Sequence, residues 1–238
     1  MPPVAILAAC ATPISCCRTS MVEAFDPACR RCPRLASFLD EVRAKHADYH
    51  AAPVPAFGVA QPGLLVVGLA PGMHGANRTG RPFTGDHAGL LLYQALYAAG
   101  FSDRAESLSR DDGLQLRDCR ITNAVRCLPP ANKPLPIEMH TCNGFLAHDL
   151  AAVPSGGAIL ALGRVAHEAV LRALGLRTAA FAFGHGAEHD LGADRRLFDS
   201  YHCSRYNTQT RRLTTEMFAA VVGKAGQWAR DHHVAAPR

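Results

Sequence analysis

The sequence predicts an α/β protein: a single three-layer α/β/α domain built around a central four-stranded parallel sheet. Three observations carry that reading. Four short runs, 64–67, 119–125, 158–162 and 197–201, read as strands, and the first, Leu64-Leu65-Val66-Val67, is continuous and branched as expected of a strand buried on both faces. Helix-period stretches alternate with them, as parallel strands require. Three of the four runs exit into polar loops, 71–86, 123–133 and 202–212, and a parallel sheet gathers such loops on one rim.

With 238 residues, 48% of them apolar and 19% charged, the chain has the make-up of one ordinary globular domain. A formal charge of +5 suits a polyanionic partner without identifying one. No apolar run approaches the roughly 20 residues that span a bilayer, so no membrane partner is expected. The nine cysteines, an odd number, speak against a simple disulfide framework. Residues 1–20 are apolar but lack the basic start of a secretion signal. A cytoplasmic location is therefore expected. Residues 1–24 are expected to be a disordered extension carrying Cys10, Cys16 and Cys17, residues 25–230 the folded domain, and residues 231–238 a disordered tail. Met21 is a second candidate start.

In chain order, Cys29-Arg30-Arg31-Cys32-Pro33 opens a helix whose Leu35, Phe38, Leu39 and Val42 recur on one face. A proline-rich connector over 52–62 leads to the first strand. Leu90, Leu91, Leu92, Ala95 and Leu96 mark a helix closing at Gly100, and the charged, irregular stretch 102–117 reads as surface loop. The second strand delivers Asn123, Arg126 and Cys127 at its end. Four prolines stiffen the loop from Cys127 to Cys142, which runs into a helix over 137–150. Gly163 leads from the third strand into a helix over 165–174, and 177–195 reads as a loop or hairpin. The fourth strand ends at His202, and an amphipathic helix through Phe218, Val221, Val222 and Trp228 closes the chain.

The chemistry concentrates in 64–86, LLVVGLAPGMHGANRTGRPFTGD. Gly68 and the Ala70-Pro71-Gly72 turn let the backbone approach a ligand and expose its N–H groups. His74, Asn77, Arg78, Thr79, Arg81, Thr84 and Asp86 follow at once. Such turns occur at strand exits generally, but one carboxylate among several cations has the make-up of a ligand site. Asp86 also suits a helix N-cap ahead of His87-Ala88-Gly89-Leu90, and both roles can hold. Cys29 and Cys32, a close pair, join the split pair Cys127 and Cys142 in a four-thiolate set that suits zinc or an iron–sulfur cluster; spacing leaves both open. His74, His185 and His189 follow no recognised ligand spacing.

Together these segments resemble the uracil-DNA glycosylase superfamily, and most closely its iron–sulfur-containing family 5 (type B) members, from about Cys29 to Phe218. GLAPG followed by HGANRTGRPFTGD is similar to that family's first motif, and His202 through Asn207-Thr208-Gln209-Thr210 to Leu213-Thr214 to its last. VRCLPPANKP with the cysteine spacing is similar to its cluster-bearing segment. The resemblance implies a uracil-DNA glycosylase-like fold, one [4Fe–4S] cluster per chain on Cys29, Cys32, Cys127 and Cys142 with a structural role, and a DNA substrate containing uracil or other deaminated bases such as hypoxanthine. Base excision leaving an abasic site is the implied activity. One-lesion chemistry needs only a monomer.

Hydrolysis of the bond between uracil and deoxyribose develops positive charge on the sugar and negative charge on the departing base. His202, at a strand end, is expected to donate to uracil O2, and Asp86 to orient water or stabilise the sugar cation. The resemblance implies these two roles as well, and adds Asn132 to the active site. Phe83, which suits the core equally, can stack on a flipped base, and Asn123 can read its polar edge. Gly68, Ala70 and Gly72 would border the same base. Arg78, Arg81, Ser204, Arg205, Asn207, Thr208 and Arg211 are phosphate-binding types that would form a basic rim. Two departures stand out. Family 4 relatives carry an acid where this chain has Leu69 and Ala70, which shifts the demand onto Asp86. The usual His-Pro-Ser is His-Cys-Ser here, so Cys203 removes a fixed φ from the loop. Competing readings are a non-catalytic nucleic-acid-binding iron–sulfur module and a zinc-stabilised nucleotide hydrolase.

Overall fold

The computed structural model describes residues 22–233. The disordered segments expected at 1–24 and 231–238 lie for the greater part outside them, as do Cys10, Cys16, Cys17 and Met21. In chain order the elements are α1 (Pro33–Lys45), β1 (Phe57–Gly58), β2 (Leu64–Gly68), α2 (Ala76–Thr79), α3 (His87–Ala98), β3 (Cys119–Asn123), α4 (Pro136–Ala151), β4 (Ala158–Leu162), α5 (Arg164–Ala173), β5 (Glu188–Asp190), β6 (Arg196–Ser200), α6 (Arg205–Gln209) and α7 (Thr215–His232).

One sheet orders its strands β1-β3-β2-β4-β6-β5. The four expected strands are its parallel centre. Two short antiparallel edges, β1 against β3 and β5 against β6, extend it to six strands. The reason for the alternation expected of a doubly covered sheet is visible in β2. Leu64 and Val66 pack with α3 and α7 through Leu92, Leu96, Phe218 and Val222, whereas Leu65 and Val67 face α4 and α5 through Leu146, Leu150 and Val170. Truncating a side chain such as Leu160 in this core would cost about 2–5 kcal/mol.

Register positions the site. Gly68 pairs with Asn123, and Leu162 with Ser200, so the four parallel strands end nearly level. The chain leaves β2 toward β3 on one side and reaches β4 and β6 on the other, and the crevice at such a reversal is where open α/β sheets bind ligands. The stretch 102–117 is not all surface: Leu114 and Leu116 are buried in the core, and Ser107 Oγ is 2.7 Å from Thr84 Oγ1, bracing the polar loop from behind.

Candidate active site

At that rim, a cavity of about 330 Å³ opens between the loops after β2, β3 and β6. Asp86, His202 and Asn132 all border it, together with Phe83, Asn123 and Ser204. Ala70 and Gly72 also line it, with Leu69, Ala76 and Ala88 completing the lining. The last two were not legible as site residues, since a small apolar side chain announces nothing beyond the motif it sits in. Gly68, expected to border the base, is not part of the lining, but a Cβ there would overlap Asn123 Oδ1 and the Phe83 ring; a larger residue would displace both.

Asp86 is both cap and cavity wall. Its Oδ1 accepts from Gly89 N at 2.9 Å, closing the N-terminus of α3. Its Oδ2 faces Gly72 and Gly75, and a Cβ on Gly75 would overlap it. Burial raises the carboxyl above its ordinary value, and the backbone N–H groups of Gly89 and Ala88 work against that rise. His202 has no such partner for charge, and burial pushes it down to about 4. Its imidazole is therefore neutral near pH 7 and carries one N–H to donate. Phe83 lies nearly parallel to it, centroids 6.1 Å apart. Phe83, Ala131 and Asn132 all take left-handed φ values of 53°, 54° and 55°, backbone strain that collects at working sites. Asn123 Oδ1 is buried without a partner in the protein, as expected of a group that awaits a ligand.

The segment after His202 is knotted back onto the site. Asn207 Nδ2 donates to the His202 carbonyl at 2.8 Å, and Thr208 Oγ1 lies 2.9 Å from His87 Nε2. Ser204 Oγ caps α6 by accepting from Asn207 N. Cys203 is buried, its Sγ donating to Ala88 O at 3.4 Å. Arg205 and Arg211 are exposed, and so is Arg78, which holds His74 O through Nε at 2.7 Å. Arg81 departs from the expected rim. It is 3% exposed, pairs with Asp112 at 2.6 Å and lies over the Phe57 ring, so its guanidinium is spent inside the fold. The partner lies in the stretch read as plain surface loop.

Away from the cavity, Cys29, Cys32, Cys127 and Cys142 line one apolar hollow with Leu35, Val125 and Phe145. None is in a disulfide. Burial pushes the Cys127 thiol up to about 12 and the Cys142 thiol up to about 11, with the neighbouring cysteines adding to both. Arg126 N donates to Cys142 Sγ at 3.3 Å. Arg34 of α1 clasps Glu138 of α4 with two bonds of 2.8 and 2.7 Å, joining the helix that follows Cys32 to the helix that carries Cys142. His74, His185 and His189 do not gather into one site, in keeping with their spacing: His74 meets the Tyr49 hydroxyl and His185 meets the Tyr201 amide.

A model of the uracil DNA glycosylase superfamily matches residues 55–225. A protein of Thermus thermophilus named type-5 uracil-DNA glycosylase is 49% identical over 207 residues, covering 85% of this chain and 94% of its own. One of Pyrobaculum aerophilum with the same name is 44% identical over 201 residues, covering 83% and 87%. Another, from Mycobacterium tuberculosis, is 44% identical over 209 residues, covering 84% and 78%. By this match, spanning the β2 motif through α7, the chain belongs to the uracil DNA glycosylase superfamily and, within it, to the type-5 uracil-DNA glycosylases.

Proposed function

We propose that this protein is a DNA-repair glycosylase that hydrolyses the N-glycosidic bond of uracil in DNA and leaves an abasic site. One observation carries the reading: an imidazole held neutral and a half-buried carboxylate border the same cavity, one suited to each end of the breaking bond. As the bond from sugar to base lengthens, the electron pair moves to the base. The neutral His202 N–H donates to the oxygen where that charge collects and transfers no proton, so it does not depend on becoming charged. Asp86 Oδ2 stabilises the sugar cation or orients the water that adds to it. Phe83 offers a stacking face, the Asn123 amide meets the polar edge, and Asn132 borders the same cavity. A base inside the duplex is out of reach of such a cavity, so the target base must first be taken out of the stack.

Arg78, Arg205 and Arg211, with Ser204 and Thr208, are our candidates for phosphate contacts. Relatives named as glycosylases, together with these paired groups, favour cleavage over passive binding of nucleic acid or hydrolysis of free nucleotides.

We infer one [4Fe–4S] cluster on Cys29, Cys32, Cys127 and Cys142. A single tetrahedral zinc with bonds of about 2.3 Å would need sulfurs roughly 3.8 Å apart. No three of these sulfurs come within 4.8 Å of one another, a spread that supports a multi-iron group. When bound, the cluster supplies a cross-link between the segment before α1, the end of β3 and α4; catalysis stays with the side chains at the rim. We also infer a monomer acting in the cytoplasm, on the nucleoid while bound to DNA, and acceptance of hypoxanthine beside uracil.

The test is a substrate panel: duplexes with uracil against guanine or adenine, single strands with uracil, and duplexes with hypoxanthine, alongside iron and sulfide analysis. Release of free uracil with an alkali-labile abasic site, from protein containing about four irons per chain, is expected. No base release from any substrate overturns the reading, and zinc in place of iron overturns the cluster.

A further inference from the structure

Among the described residues, one cluster of metal-ligating side chains lies outside both the cavity and the cysteines. His167 from α5, His189 from β5 and Asp199 from β6 bring one ligand atom each within 4.8 Å of the others. His167 Nδ1 is 2.8 Å from Asp199 Oδ1, and His189 Nε2 is 3.0 Å from Asp199 Oδ2. We propose that these three side chains form a binding site for one divalent transition-metal ion of the zinc class.

The donor set is right for such an ion: two imidazoles and one carboxylate, with a fourth position left for water. The separations are close to right as well. Ligands bonded at about 2.0–2.1 Å in a tetrahedron stand roughly 3.4 Å apart; each histidine contact, made to a different oxygen of Asp199, is within about half an ångström of that, and all three ligand atoms lie within 4.8 Å of one another. The outer contacts favour it. His167 Nε2 lies 3.0 Å from the Phe181 carbonyl; a bond there commits Nε2 to donation and leaves Nδ1 as the ligand, the way metal-bound imidazoles are normally oriented.

Charge supplies a second argument. Asp199 is fully buried, and among the described residues its ion-pair partners are these two histidines, with no lysine or arginine. A buried carboxylate needs compensation, and a cation supplies it. His167 borders an open hollow of about 300 Å³ with Arg164, Glu168 and Phe183, and His189 is the least buried of the three ligands. The cysteine sulfurs, by contrast, are spread too widely for one ion.

The consequence is mechanical. The three ligands come from a helix and two strands, and Asp199 stands three positions before His202 on the strand that delivers it. An ion there fastens the β5–β6 edge to α5 and stiffens the root of the catalytic loop.

The test uses the full-length, iron-loaded protein, so that the cysteines are already occupied. Calorimetric titration with Zn²⁺ should show one saturable equivalent beyond the iron, and Tm should rise with added Zn²⁺. His189→Ala and Asp199→Asn should each weaken binding more than tenfold, while His74→Ala leaves it unchanged. Should either variant fail to fold, His189→Gln, at the less buried ligand, takes its place. Co²⁺ as a probe should give weak d–d absorption without an intense thiolate-to-cobalt band. No Zn²⁺ equivalent, undiminished affinity in the variants, or a thiolate band would overturn the proposal.

Discussion

The rings of Phe83 and His202 lie 6.1 Å apart between centroids with 28° between their planes, one from the loop after β2 and the other from the end of β6. Two segments far apart in sequence thus present parallel faces to one cavity, and Phe83 takes a left-handed backbone to do so. Base–aromatic stacking is worth about 1–3 kcal/mol, so Phe83→Ala should lower kcat/KM on uracil-containing DNA about ten- to hundredfold, and Phe83→Tyr should keep most of it. Wild-type kcat/KM in Phe83→Ala would show that the ring serves the core alone.

Burial of His202 has a signed consequence for pH. Its folded pKa near 4 lies below the ordinary value of about 6.5, so the unfolded chain binds the proton more readily. Stability from this group is complete above about pH 6.5 and is lost as pH falls from there toward 4. Proton titration by NMR should find the His202 imidazole neutral at pH 5.5, and His202→Gln should flatten the acid side of the stability curve. Titration of His202 near 6.5 would contradict a desolvated site.

Gly75→Ala tests the aim of Asp86. A Cβ at position 75 would overlap Asp86 Oδ2, and displacing the carboxylate would disturb the bond that its Oδ1 accepts from Gly89 N. We expect kcat to fall at least tenfold, with a loss of about 1 kcal/mol of stability from the broken cap. Single-turnover kinetics and denaturant unfolding read the two effects separately, and wild-type kcat would refute the geometry.

The arginines separate by burial. Arg205→Ala and Arg211→Ala should each weaken DNA binding and reduce the slope of log K against log salt by about one. Arg81→Gln should leave that slope alone and lower Tm, because Arg81 is already paired with Asp112. Equal slopes in all variants would mean that the exposed arginines touch no phosphate.

What could be read in advance follows from how far each signal reaches along the chain. The run at 64–67 announces β2 because a strand buried on both faces shows no polar interruption, and Asp86 announces itself as a cap through the apolar helix behind it. Two-residue β1 and three-residue β5 are too short to show any period, and α2 and α6 are single turns. Arg81 looked like its cationic neighbours because Asp112 reaches it only through the fold. The grouping of His167, His189 and Asp199 is likewise a product of β5 pairing with β6, which no local spacing encodes. The four cysteines were legible because a close pair at a helix entry and a split pair around a proline-stiffened loop are local features.

The most direct test of the account is single-turnover release of uracil from a duplex by the wild type and by His202→Ala, with iron content measured on both. The account predicts a rate lowered more than tenfold in the variant at unchanged iron content. An undiminished rate would contradict it, because the donor to the departing base would then have to be some other group.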